Sequence, residues 1–245
     1  GRHTRLTVAA DAEVETSAPH PPTAAAPWPV ESDGLTDYEY LTATPHVMWD
    51  AQVEEFAQEA VAGATTQLEA VTGVQAAVGN LLEYESGATD VGVSVAEIFE
   101  HRRGVCQDYA HVALAAYRSL GVPARYVSGY LYARDSSSGE LPSDDGELVV
   151  ATHAWVEVAV PGYGWWGLDP TNQLVAGERH VKIGHGRDYE DVMPLRGVYH
   201  GDGESGGLEV VVKMSPSSLE RHRVTPRPPF HPKQHDHHQQ QQQQQ

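Results

Sequence analysis

The chain has 245 residues, 40% apolar and 8% aromatic, which suits one ordinary folded domain with appendages and a core that needs no covalent staples. Its formal net charge of −18, from 34 acidic against 16 basic side chains, excludes recognition of bare nucleic acid or an anionic membrane through a basic face. No apolar run is long enough for a membrane-spanning helix and no apolar signal core opens the chain, so the expected location is the cytoplasm. Lys182, Lys213 and Lys233 are the only lysines, a bias that fits either a GC-rich coding sequence or salt adaptation.

From Leu6 to Val14 apolar and polar residues alternate, the period of a half-buried strand. A single strand cannot stand alone, so this one either pairs with later strands of the chain or, the preferred reading, is the last piece of a longer β-rich region. Residues 18–29, with five prolines, read as an extended linker. Asp50 is placed to cap a helix carrying Val53, Phe56, Ala57, Ala60 and Val61. A second apolar series, Leu68, Val71, Val74, Val78 and Leu81, is weakened as a helix by Gly73 and Gly79. Ser94 is a candidate cap for a short helix bearing Val95, Ile98 and Phe99. Residues 107–120 carry the stripe Val112, Ala113, Ala116 and Leu120, and Gly121 with Pro123 stops that helix.

Strands are expected at Ala124–Tyr132, Thr152–Val160, Trp165–Leu168 and Leu208–Met214, separated by turn-forming residues and by a polar, acidic loop at 135–147. Helices first and strands later make an α+β pattern with a mainly antiparallel sheet. The tail from Ser215, rich in proline and histidine and closed by seven glutamines, lacks the apolar groups that would offset ordering entropy, and its histidines have nothing to set a metal geometry.

Cys106 is the single cysteine, so no intramolecular disulfide exists and the thiol is either a packing residue or a reactive group. It stands at the start of the 107–120 helix, where free N–H groups and the helix dipole favour thiolate over thiol. Gly104 permits a sharp backbone entry, and the following Gln107 and Asp108 are polar, unlike the flanks of a core cysteine. A thiolate nucleophile needs a proton partner. His153 heads a strand whose alternation puts His153, Trp155 and Glu157 on one face and Ala154, Val156 and Val158 on the other. His101 and His111 lie nearer in sequence, but their helical offsets aim them away from Cys106, as surface or packing histidines. An orienting carboxylate completes a triad. Asp169 ends the next strand, and a hairpin turn centred near residue 161 or 162 sets it opposite His153.

Three segments now combine: Gly104-Val105-Cys106-Gln107-Asp108-Tyr109-Ala110, His153-Ala154-Trp155-Val156-Glu157-Val158 and Gly167-Leu168-Asp169-Pro170-Thr171-Asn172. In this order and spacing they resemble the three motifs of the transglutaminase-like superfamily, in its bacterial and archaeal cysteine-protease-like branch with a papain-like fold. Flanking stretches are similar too: Leu120–Tyr130, then Gly186-Arg187-Asp188-Tyr189 and Pro194-Leu195-Arg196-Gly197. The resemblance spans roughly residues 35–214.

It implies an α+β papain-like core with the nucleophile helix packed on an antiparallel sheet. Cys106 is then the nucleophile, His153 the base and then acid, and Asp169 the orienter. The Cys106 backbone N–H is a candidate oxyanion donor. The implied chemistry is acyl transfer through a thioester on a peptide or protein amide, as a protease or amidase, with cross-linking or amide formation as the alternative. The expected divisions are 1–30 as the end of a β-rich region plus linker, 31–214 as the catalytic domain and 215–245 as a disordered tail. No cofactor, metal, nucleic acid or membrane partner is expected, and no calcium-site pattern is visible. Two competing readings are a scaffold that retains its triad by descent and another enzyme on the same fold, such as an arylamine N-acetyltransferase or a peptide deglycosylase. The acetyltransferase would need a coenzyme A site, for which Arg102, Arg103 and Arg125 are the nearby cations; their simpler reading is surface charge. Trp155 and Trp165 or Trp166 are candidates to shield the site, with core packing expected for at least two of the three.

Overall fold

A computed structural model describes residues 6–22, 26–29, 35–87, 89, 92–133, 146–193 and 209–217. Helix α1 spans Ala51–Ala60, and Asp50 caps it by accepting from the Gln52 and Val53 amides at 3.0 and 3.2 Å. Helix α2, Gln67–Leu81, starts in a reciprocal capping box between Thr66 and Glu69. Its Gly73 is a packing requirement: a Cβ there would lie 2.4 Å from the Ala60 carbonyl oxygen of α1. A residue that lowers helix propensity thus lets the two helices touch. A two-residue strand β1, Glu83–Tyr84, leads to α3, Val95–His101, which is capped by Ser94 as expected, with Glu97 completing a reciprocal capping box. Strand β2, Arg103–Gly104, pairs in parallel with β1 and delivers the chain into α4, Cys106–Ser119.

The expected stripe on α4 understates its burial. Every residue from Asp108 to Arg118 is buried, because α4 lies against α1, α2 and α3 on one side and the sheet on the other. Arg118 is satisfied there without a carboxylate contact: its guanidinium donates to the carbonyls of Thr42, Ala124 and Arg187. Gly121, at φ +75°, turns the chain out of the helix.

Strands β3 (Ala124–Leu131), β5 (Thr152–Val160), β6 (Gly164–Asp169), β7 (Leu174–Val175) and β8 (His180–Gly186) form one sheet in the order β7-β6-β5-β3-β8, antiparallel at every ladder. Strands β4 (Leu148–Val150) and β9 (Val212–Met214) pair separately, so the strand expected from Leu208 begins only at Val212, and Leu208 itself lies outside the described residues. The α+β architecture, with the helix that bears Cys106 on an antiparallel sheet, is as expected. Strand β8 is not: its glycines and polar residues interrupt the apolar alternation, and its register against β3 shifts between Ser128 and Gly129. Gly129 has no room for a Cβ, which would meet the Val181 carbonyl at 2.2 Å and the Trp155 ring at 2.6 Å.

The strand expected from Leu6 to Val14 is not formed: residues 6–14 pair with no strand among the described residues, and Leu6, Val8 and Val14 are exposed. Alternation prepares a segment for pairing but does not supply a partner. The proline-rich stretch is docked on the domain: Thr16 donates to the Glu178 carbonyl at 2.6 Å, Tyr163 to the His20 carbonyl at 2.7 Å, and Gln67 N–H to the Ala26 carbonyl at 2.9 Å. The acidic loop at 135–145, the Pro194–Gly197 segment and the tail from 218 lie outside the described residues.

Candidate active site

Cys106 is the first residue of α4 and is half-buried against the core. The preceding turn is held by Asp108, whose Oδ2 accepts from Val105 N–H at 2.8 Å and from the Thr89 hydroxyl at 2.6 Å. Burial raises the Asp108 carboxyl above the usual carboxylate range, against the pull of those two hydrogen bonds. Gly104 is needed for a reason other than turn geometry: a Cβ would sit 2.6 Å from the Asp108 carboxylate oxygen.

Strand β5 supplies His153. The β5–β6 ladder pairs Val156 with Leu168 and Val160 with Gly164, around a loop of Pro161, Gly162 and Tyr163. That register sets Asp169 level with Trp155, two residues from the directly opposed pairing with His153 expected from the sequence. Both side chains share one face, so the contact forms on the diagonal. His153 Nε2 donates to Asp169 Oδ2 at 2.7 Å, and both side chains are fully buried.

Asp169 is satisfied on every side. Oδ1 accepts from the backbone N–H groups of Thr171 and Asn172 at 3.1 and 3.2 Å, while Oδ2 also accepts from the Asn172 amide at 2.8 Å and from His180 Nε2 at 3.1 Å. Burial alone would raise its carboxyl. The hydrogen bonds from His153, then His180, and the charge of His153 outweigh burial and hold it well below the usual range. Burial likewise opposes a proton on His153, but the Asp169 hydrogen bond, then the hydrogen bond and charge from Cys106, push it up to about 10. Among the described residues, no hydrogen bond of regular geometry reaches His153 Nδ1. With Nε2 committed to Asp169, Nδ1 is the nitrogen left for the thiol, and loose alignment there is ordinary before substrate arrives.

The competing histidines fall away. His101 ends α3 and is exposed. His111 is fully buried, stacks on His46 at 5.7 Å and accepts from the Tyr189 N–H at 3.4 Å. Burial, with His46 beside it, lowers it to about 3, so it is a neutral packing residue. The Gly186–Tyr189 motif therefore anchors the chain after β8 to α4 through His111 and Arg118. Arg125 is no loose surface charge: it pairs with Glu157 at 2.7 Å and covers the Trp165 ring at 4.0 Å. Arg103 pairs with Glu85, and Arg102 takes a left-handed conformation at the end of α3.

Trp155 is the tryptophan that walls the site, stacked beside His153 at 6.2 Å and set edge-on to His180 at 5.2 Å. Trp166 belongs to the core. His180 was missed by sequence reasoning because its strand was missed. The available signal was the polar–apolar order His180-Val181-Lys182-Ile183. Ligand atoms of His153, Asp169 and His180 lie within 4.8 Å of one another, a spacing that would suit a metal ion. However, Gly177 N–H donates to His180 Nδ1 at 3.2 Å, which leaves the proton on Nε2, the atom a metal would need.

Residues 54–170 match the family model of the transglutaminase-like superfamily. An uncharacterised protein of Mycobacterium leprae is 36% identical over 217 residues, covering 87% of this chain and 74% of its own. A protein-glutamine gamma-glutamyltransferase of Pseudomonas aeruginosa is 41% identical over 85 residues, 34% of this chain and 12% of its own. In fold, a candidate cysteine protease from Cytophaga hutchinsonii superimposes with a TM-score of 0.61 at 24% identity, over 80% of this chain. This chain covers 62% of that one, less than two thirds of its length.

Proposed function

The chain belongs to the transglutaminase-like superfamily, and from that premise we propose that it is a thiol-dependent acyl-transfer enzyme acting on amide bonds of peptides or proteins, in the hydrolytic direction and in the cytoplasm. The observation that carries the proposal is the buried His153–Asp169 pair with its second ring nitrogen left for the only thiol in the chain. Asp169 holds the imidazole in one orientation and keeps a proton on it, so His153 both stabilises the Cys106 thiolate and donates to a leaving group.

The Cys106 Sγ electron pair attacks the amide carbonyl carbon, and the carbonyl oxygen takes up negative charge facing the Cys106 backbone N–H at the helix start. The C–N bond breaks as the His153 proton passes to the departing amine, leaving a thioester. His153, now neutral, takes a proton from water, whose oxygen attacks the thioester; the acid is released and thiolate and imidazolium are restored. An amine in place of water would form a new amide instead. That second reading is favoured by the likeness over 85 residues to the Pseudomonas aeruginosa transferase.

The test is alkylation of Cys106 by iodoacetamide across pH, read by intact mass, with His153→Ala alongside. At about pH 6.5 an ordinary thiol is only ~1% thiolate, so fast labelling there that slows at least ~10-fold in the variant is the expected result. Labelling that follows an ordinary thiol in both proteins would overturn the proposal. Product analysis on a glutaminyl peptide with and without added amine then separates hydrolysis from transfer.

A further inference from the structure

Asp169 is approached by two imidazoles, and a triad needs only one. We propose that His180 is a positioning residue for the reaction, a hydrogen-bond donor through Nε2 that fixes the Asp169 carboxylate for His153; this rests on the acyl-transfer reading above. His180 Nε2 lies 3.1 Å from Asp169 Oδ2, the oxygen that also receives His153 Nε2 at 2.7 Å. The two rings are 6.1 Å apart, centre to centre.

The other nitrogen decides the tautomer of His180. Gly177 N–H donates to Nδ1 at 3.2 Å, so Nδ1 must present a lone pair and Nε2 must carry the single proton. A second imidazolium beside the same carboxylate would repel a proton on His153. A neutral donor adds a hydrogen bond to the carboxylate without that repulsion, and the proton stays where the chemistry uses it.

The surroundings hold His180 in this role. Its own N–H donates to the Gly177 carbonyl at 2.8 Å, closing the turn that presents Gly177 N–H to the ring. Trp155 meets the ring edge-on at 5.2 Å. Gly177 lies against Pro19 of the docked N-terminal segment so closely that a Cβ would come within 2.6 Å of the Pro19 Cδ. A chain of contacts therefore runs from Pro19 through Gly177, His180 and Asp169 to His153. A histidine that merely filled space would need neither the fixed tautomer nor the shared carboxylate oxygen.

The experiment uses the full chain with His180→Ala and His180→Gln. Cys106 alkylation is followed from about pH 5.5 to 9 beside thermal unfolding, and the tautomer is read by 15N NMR of the wild-type histidines at about pH 7. The expected spectrum has His180 Nδ1 unprotonated and Nε2 protonated. In His180→Ala, alkylation at about pH 6.5 falls ~10-fold, the worth of one hydrogen bond to a charged group, and the deficit narrows as pH rises. In His180→Gln, whose amide can still donate to Asp169, most of the rate returns.

A folded His180→Ala protein with the wild-type profile overturns the inference. So does an equal, pH-independent loss in both variants, which would mark a purely structural role. Should His180→Ala fail to fold, the wild-type spectrum and the Gln variant decide: an Nδ1–H tautomer or an unrescued Gln variant refutes it. Slow wild-type labelling indifferent to His153→Ala would bring down the acyl-transfer reading and this inference with it. Fast, His153-dependent labelling indifferent to His180 brings down this inference alone.

Discussion

The two faces of the central sheet are built from alternate residues of the same strands, yet they follow different rules. The face against α4 carries Ala154, Val156, Val158, Val160, Trp166 and Leu168, all buried in the main core. The opposite face carries His153, Trp155 and Glu157 of β5, Asp169 of β6, Arg125 of β3 and Lys182 of β8. On the first face the energy is area removed from water, roughly additive and tolerant of shape. On the second it lies in hydrogen bonds and charges that must all be satisfied together. That polar face divides again. At one end the buried His153–Asp169–His180 group is closed to water, while at the other Glu157 is clamped between Arg125 and Lys182 at 2.7 and 2.6 Å. Neighbouring residues in one strand can thus serve stability and chemistry independently, and this independence can be tested.

The largest effect is expected from Cys106→Ser: acyl transfer falls ~10⁴-fold or more while the unfolding midpoint stays within error, in a steady-state assay paired with calorimetry. Next, Asp169→Asn removes the charge that holds a proton on His153, and turnover at neutral pH drops ~10³-fold. On the core face, Leu114→Ala in fully buried α4 costs about 2–5 kcal/mol in urea unfolding, with the Cys106 alkylation rate of the folded fraction unchanged. If that rate changes as well, the two faces are not independent.

Stability should also depend on pH through the polar face. The His153 proton is held more tightly in the folded chain, so its contribution is complete below about pH 6.5 and is lost as pH rises through about 10. Asp169 is depressed, so its contribution is present above about pH 4 and fades only in stronger acid. Urea midpoints from about pH 7 to 11 should fall more steeply in wild type than in His153→Ala. The smallest effect is expected at Gly73→Ala. The helix scale promises a gain of about 1 kcal/mol, but the Ala60 carbonyl forces a net loss of about 1–3 kcal/mol, measured by thermal unfolding.

The helices were readable because their signals are local. Asp50 and Ser94 each cap a helix through groups within a few residues, and Gly121 stops α4 by its own backbone angle. Cys106 at a helix start and His153 on a strand with an apolar reverse face are likewise nearest-neighbour statements. The β5–β6 register was legible only to within two residues, because a three-residue hairpin loop and its neighbours look alike in sequence. His180 was hidden by a broken alternation. The Leu6–Val14 pattern has strand periodicity but finds no partner among the described residues.

By itself, then, the sequence determined the seat of Cys106 at a helix start, the order of Cys106, His153 and Asp169, and the α+β class, since capping, propensity and alternation act over a few residues. Tertiary structure alone decided that Asp169 faces two imidazoles, that Gly177 selects the proton position on one of them, and that the proline-rich segment lies docked beside that turn. These contacts join residues far apart in the chain. Such pairs meet only once strand order and register are set, and both depend on the packing of the whole sheet against α4.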